Sequence, residues 1–248
     1  MDDAQYLKSP FKLVLLPGMD GTGKLFSEFV AELPDTFKAV AVRYPTERYL
    51  PYRDLENLVR TACPVAEPFM LIAESFSTPL ALKYAATNPK NLQGLVLCAG
   101  FAASPARGWR RFLASLLAPY VFYVPMPNFL MNRWLVGPDA APSLLAAVRT
   151  AISAVRPSVL AARLRAVLTC GVRAEAGLIS APILYTRGKQ DCLVGVWCLE
   201  ELRRIRPQMA VVAMVGPHLI LQREPRRVAE VVVRFIQSIG LPPNSLVL

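Results

Sequence analysis

The chain contains a single histidine, His218, in "VGPHLILQ", directly after the apolar run "AVVAMV" (210–215). Imidazole is the side chain best suited to moving a proton near neutral pH, so a serine within its reach becomes a candidate nucleophile. Two other reactive side chains occupy the same kind of position. Ser75 follows "FMLIAE" at an abrupt turn in "LIAESFSTPLALKYA" (71–85), and Asp191 follows "PILYTRGKQ". A serine hydroxyl needs a base, and the base needs a carboxylate that fixes its tautomer and orientation. Each residue alone has a plainer role: Ser75 as a helix N-cap, Asp191 as a turn residue, His218 as a packed or surface imidazole. Three plain roles would have to fall at three strand ends in the order Ser, Asp, His. The joint reading as nucleophile, orienting carboxylate and base is therefore preferred.

The elements around these residues explain why strand ends matter. Apolar, β-branched runs at 11–16, 37–45, 68–74 and 92–100 alternate with helical spacing at 25–34, 55–63 and 76–87. Such alternation predicts an α/β fold with a mostly parallel sheet and right-handed crossovers. In open sheets of this class, ligands bind beyond the carboxyl ends of the strands. After Gly100 the alternation stops. Leu145, Val148, Ile152 and Val155 form one helical stripe, and Leu160, Leu164, Val167 and Leu168 form another, with Arg163 and Arg165 off it. The sheet pattern resumes at "APILYTRG" (181–188), followed by a helix near 196–205, the strand 210–215 and a closing helix 225–239. The expected organisation is an α/β core from residues 1–100 and 181–248, interrupted by a helical cap at 101–180.

Acyl chemistry at Ser75 would also require two backbone N–H donors for the developing oxyanion. Phe76, at the start of the helix after the serine, is one candidate. Met19 in "LLPGMDGTG" is the other, ahead of Asp20, because Gly18 lets the backbone approach closely. The same loop superficially suggests a phosphate-binding turn, but Leu25 stands where that motif needs Ser or Thr for magnesium. The turn at Ser75 carries Ala73 and Ser77 in place of two glycines. Both are small enough to leave a tight strand-to-helix turn nearly unobstructed, and Ser77 is expected inside the first helical turn, pointing away from the apex.

Composition narrows the remaining classes. Five cysteines form no C-x-x-C pair and are odd in number, which argues against a disulfide framework and a structural zinc site. Net charge is +10, and residues 101–180 hold nine arginines against two acids. The arginines are scattered at helical intervals without clustered aromatics, so nucleic acid is not expected as a partner. The apolar run "FLASLLAPYVFYVPMPNFL" (112–130) holds three prolines and follows Arg107, Arg110 and Arg111. It suits a lipid- or substrate-facing cap better than a membrane span, and stable membrane insertion is not expected. "MDDAQYLKSPFK" begins with acids and lacks an apolar core, so no secretory signal is expected and the cytoplasm is the expected location.

Taken together, the oxyanion loop "LLPGMDGTG", the nucleophile turn "LIAESFSTPLAL", the strand "LQGLVLCAG", "PILYTRGKQDCLV" and "VGPHLILQREPRRVAEVVVRFI" resemble the α/β-hydrolase superfamily. The closest resemblance is to small capped carboxylesterases such as the pimeloyl-acyl-carrier-protein methyl ester esterases. Two departures are Pro17-Gly18, where many members have His-Gly, and the missing glycines around Ser75. The resemblance implies ester hydrolysis through an acyl-enzyme without metal or organic cofactor. It assigns Ser75 as nucleophile, His218 as base, Asp191 as orienting carboxylate, and Met19 and Phe76 as oxyanion donors. A small-molecule ester of small to medium acyl length is the expected substrate. Phe101, Phe122, Phe129, Trp134 and Leu193 are the expected pocket residues, and Phe122, Phe129 and Trp134 belong to an apolar cap that also includes Phe112, Leu116, Leu117 and Tyr120. Two alternatives stay open: an ester or thioester borne on an acidic acyl-carrier protein that docks on Arg156, Arg163 and Arg165, and a non-catalytic ligand-binding protein on the same fold.

Overall fold

The computed structural model describes residues 11–118 and 120–240. Residues 1–10, which carry most of the sequence behind the expected absence of a secretory signal, lie outside them. Six strands form one all-parallel sheet: β1 (Phe11–Leu16), β2 (Phe37–Ala41), β3 (Phe69–Glu74), β4 (Leu92–Cys98), β5 (Ile183–Gly188) and β6 (Ala210–Met214). Their order is β2-β1-β3-β4-β5-β6. The chain leaves β1 for the β2 edge and returns to β3 on the other side, so connections diverge at the carboxyl ends of β1 and β3. Such a switch point opens a crevice. Leu16 of β1 lies in register with Ala73 of β3, which places Pro17-Gly18 beside the Ser75 turn.

Both faces of the sheet are covered, which is why the central strands read as continuous apolar runs. Val14, Leu71 and Leu95 pack in one layer with α2 (Tyr52–Ala62), α3 (Thr78–Ala86) and α9 (Val196–Ile205). Leu13, Met70 and Val96 alternate onto the opposite face, against α1 (Ser27–Ala31) and α11 (Pro225–Ser238). Two elements depart most from their sequence patterns. The strand expected over 37–45 ends at Ala41, because Tyr44 N–H turns away to the Gly21 carbonyl at 2.8 Å. The helix expected over 25–34 becomes a 3-10 turn, Lys24–Phe26, followed by α1. Glu32 and Leu33 then bond three residues back, tightening the chain ahead of Pro34.

Between β4 and β5 the described residues form helices: α4 (Gly108–Leu117), α5 (Asn128–Met131) running into a π-helical turn (Asn132–Val136), α6 (Pro142–Ser153), α7 (Pro157–Thr169) and α8 (Arg173–Leu178). The short α10 (Ile220–Arg223) follows β6. Proline opens α6, α7 and α11, where a missing N–H costs no intrahelical bond. No single helix among the described residues is long and apolar enough to cross a membrane.

Helix α7 is fastened to the core by Arg163, and here the expected surface arginine is corrected. Arg163 is 2% exposed. Its guanidinium donates to the carbonyls of Met19 (2.8 Å), Asp20 (2.9 Å) and Pro45 (2.9 Å). It also lies 5.8 Å from the ring centroids of both Tyr44 and Phe76. A planar fork of donors suits three converging carbonyls in a way an ammonium does not. Gly21 makes room for it: φ is +68°, and a Cβ there would stand 2.6 Å from a guanidinium nitrogen. Arg163 therefore contributes no charge to a docking surface.

Replacing Arg163 with leucine leaves buried carbonyls without donors, and we expect a loss of about 2–4 kcal/mol. Chemical denaturation with an unchanged m-value would report it. Arg163→Lys should recover only part of that stability.

Candidate active site

Ser75 adopts a left-handed conformation, φ +46°, between β3 and a 3-10 turn (Ser75–Ser77) that leads into α3. For a residue with a Cβ this conformation costs about 1–2 kcal/mol, and neighbouring contacts must hold it. Thr78 Oγ1 donates to the Ser75 carbonyl at 2.8 Å. Tyr52 donates its hydroxyl to the Phe76 carbonyl at 2.8 Å and stacks on the Phe76 ring at 5.0 Å. Ser77 is fully buried, and its hydroxyl donates to the Pro17 carbonyl. The Tyr44 hydroxyl lies 2.7 Å from Ser77 Oγ. Ser77 does point away from the apex, but it has a role: it ties the turn to the end of β1, a bond that glycine could not make. Ala73 is fully buried between Leu16 and Leu97, and its small side chain suits that closed position.

The structure brings the three sequence-selected residues together. His218 Nε2 is 2.9 Å from Ser75 Oγ, and His218 Nδ1 is 2.9 Å from Asp191 Oδ2. The network assigns the tautomer: the Asp191 carboxylate can only accept, so Nδ1 carries the proton and donates to it, which leaves Nε2 to accept from the serine hydroxyl. The other carboxylate oxygen, Asp191 Oδ1, accepts the N–H groups of Leu193 and Val194, both at 2.9 Å. Two crossing loops set the Asp191–His218 distance. Lys189 N–H donates to Met214 O at 2.7 Å, and Gln190 N–H to Gly216 O at 2.9 Å. Gly188 permits the crossing, since a Cβ there would stand 2.0 Å from the Pro217 carbonyl. Leu219 N–H in turn donates to Leu135 O at 3.0 Å, fastening the histidine loop to the π-helical turn.

The electrostatics follow from this burial. Burial alone would lower the His218 pKa. The charge of Asp191, its hydrogen bond and the charge of Glu74 together outweigh that and hold it above the ordinary histidine value. Burial pushes Asp191 upward, but His218 and the two backbone donors bring it below the ordinary carboxylate value. Glu74 is the group sequence reasoning missed. It is buried beside Ser75, where burial and the charge of Asp20 raise its pKa to about 7 against the lowering effect of His218, Gln222 and Gly18. Gln222 Nε2 donates to its carboxylate at 3.2 Å. The signal was an acid closing the otherwise apolar strand "FMLIAE".

A cavity of about 350 Å³ opens over Ser75, walled almost entirely by apolar side chains. Met19 and Phe76 border it next to Ser75 and His218, as do the expected pocket residues Phe101, Phe122, Trp134 and Leu193. Phe129 does not. It is 68% exposed and borders a separate cavity with Asn132, Arg133 and Lys189. Phe112, Leu116, Leu117 and Tyr120 also face solvent and not the cavity. The inner wall comes instead from Ala114 and from Leu160 and Leu164, the last two on the apolar stripe that the sequence pattern marked.

No family model matches the chain, and no curated protein matches it in sequence. Solved structures do match in shape. A thermophilic esterase from Thermogutta terrifontis superposes with a TM-score of 0.77 at 18% identity, covering 93% of this chain and 91% of that one. An enol-lactonase from Burkholderia xenovorans LB400 gives 0.78 at 17% identity, covering 92% of each chain. A carboxylesterase structure from the ammonia-oxidizing thaumarchaeon Nitrososphaera gargenis gives 0.77 at 16% identity, covering 94% and 92%. The parallel sheet, its switch point and these likenesses together show that the chain has the α/β-hydrolase fold.

Proposed function

We propose that the protein hydrolyses carboxylic esters through an acyl-enzyme formed on Ser75. The observation that carries this reading is the continuous line of hydrogen bonds from Ser75 Oγ through both nitrogens of His218 to Asp191, each 2.9 Å. In the proposed cycle His218 Nε2 takes the serine proton as Oγ attacks the ester carbon. The C=O electron pair moves onto oxygen, where the N–H groups of Met19 and Phe76 are the assigned donors. Collapse breaks the C–O bond to the alcohol, which leaves with the proton from His218. A water then repeats the attack on the acyl-serine and releases the acid, restoring Ser75. Asp191 stays ionised throughout and holds the imidazole.

The cavity supports small to medium acyl chains. Its volume of about 350 Å³ lies at the low end of small-molecule sites, which run from about 300 to 1,000 Å³. The alternative of an ester or thioester borne on an acidic carrier protein rests on the excess of arginine in residues 101–180. With Arg163 buried, that docking reading falls to exposed Arg165 and to Arg156, which is already paired with Glu47.

Steady-state kinetics on p-nitrophenyl esters of graded chain length test the proposal. Ser75→Ala and His218→Ala should each lower kcat by about four orders of magnitude or more, and Asp191→Asn by about tenfold to a hundredfold less than that. Wild-type turnover of no ester in the series would refute it.

The pH profile supplies a second check. His218 must be neutral to accept the serine proton, and its pKa is held above 6.5. The acid limb of kcat/KM should therefore have its midpoint above that pH. Glu74→Gln removes a negative charge that favours the imidazolium, so the midpoint should move to lower pH. A midpoint that moves up, or not at all, would remove Glu74 from the electrostatics of His218.

A further inference from the structure

Helix α4 is turned inside out for a protein surrounded by water. Its inward stripe is small, with Ala118 buried and Ala114 on the cavity wall, while its outward stripe is large and apolar. Phe112 is 72% exposed and Leu116 59%, and Leu113 and Leu117 flank them at helical spacing. Beyond the helix, Tyr120 (70%) and Tyr123 (64%) are exposed as well. A contiguous apolar surface of this kind marks an interaction site.

The chemistry around the face selects the occupant. No acidic residue occurs between Glu74 and Asp139. The amino end of α4 borders a cavity of about 210 Å³ lined by Arg107, Arg111 and Arg173. Glu201 bridges Arg173 (2.9 Å) and Arg107 (3.9 Å), and Arg107 also lies over the Trp197 ring. Arginines on the polar side and amino end of a short helix, with phenylalanine, leucine and tyrosine opposite, are what an interfacial helix needs. The apolar side chains sink to the level of the upper acyl chains, and the arginines remain among headgroup phosphates. A second copy fits less well, because a self-complementary contact would bring the same arginines together in a chain of net charge +10. An acidic protein would match the arginines but leave so large an apolar stripe to be covered by a charged partner.

The face also leads to the cavity. Val121 and Trp134 are partly exposed and border the Ser75 cavity at the same time.

We infer that α4 and the segment following it seat the protein peripherally on an anionic lipid surface, with the mouth of the Ser75 cavity turned toward the lipid. The inference concerns binding and stands whether or not Ser75 reacts with esters.

Co-sedimentation of full-length Ser75→Ala protein with vesicles tests it without any turnover. The protein should sediment with phosphatidylglycerol/phosphatidylcholine vesicles, release progressively between 0.05 and 0.5 M salt as roughly expected from charge screening, and bind pure phosphatidylcholine at least tenfold more weakly. Phe112→Glu/Leu116→Glu in the same background should lose at least tenfold of the anionic-vesicle binding. Its thermal melt should stay unchanged, since both side chains are exposed. In otherwise wild-type protein, the same pair should leave turnover of a water-soluble short-chain ester unchanged. Failure to sediment with anionic vesicles, or equal sedimentation of the double variant, would overturn the inference. So would a fall from dimer to monomer in analytical ultracentrifugation caused by the double substitution while vesicle binding persists, or capture by an acidic acyl-carrier protein in place of vesicles.

Discussion

The left-handed backbone at Ser75 is the constraint on which the rest of this structure depends. A residue with a Cβ enters that conformation only when its surroundings leave no alternative, and the cost persists in every folded molecule. Here β3 arrives fully buried on one side and α3 departs on the other, so the chain must reverse within one residue. The reversal lifts the serine hydroxyl out of the sheet at the crevice between β1 and β3. The contacts made by Tyr44, Tyr52, Ser77 and Thr78 converge on Ser75, on the two residues that follow it, or on the residue after β1. They hold the turn and the Met19 loop as one unit.

Arg163 extends that unit into the helical segment. It binds the carbonyls on either side of the Met19–Asp20 junction and approaches the Phe76 ring, so α7 braces both backbone positions assigned to the oxyanion. His218 is braced similarly, through Leu219 and Leu135. The inserted helices thus act on the centre from two sides besides roofing its cavity. Burial works in two directions within it. It discourages charge on His218, yet the ionised Asp191 that burial isolates is what favours the imidazolium.

Much of the centre was legible in the sequence because its three reactive side chains stand at strand ends, where a parallel sheet must expose them. The alternation of strands and helices located Ser75, Asp191 and His218, and the apolar runs marked the strands whose Val14, Leu71 and Leu95 form the core. What misled was periodicity on helices with two buried faces. Arg163 falls off the apolar stripe of α7 and reads as solvent-facing, although carbonyls 118 to 144 residues away enclose it. Phe112, Leu116 and Phe129 failed in the opposite sense, since large apolar residues are ordinarily read as inward. Nothing local distinguishes an outward apolar stripe from a core stripe. Only the packed neighbours of α4 decide it. Glu74 was visible as an acid at the end of an apolar strand, but its proximity to His218 needed the fold.

The role proposed for Ser75 is that of a nucleophile activated by His218. Mass spectrometry of protein treated with a fluorophosphonate probe tests it most directly, because it reads the bond to Oγ without assuming a natural substrate. One phosphonyl adduct per chain is expected on the peptide containing Ser75, absent from Ser75→Ala and much slower to form in His218→Ala. An adduct that persists in Ser75→Ala, or none in the wild type, would contradict it.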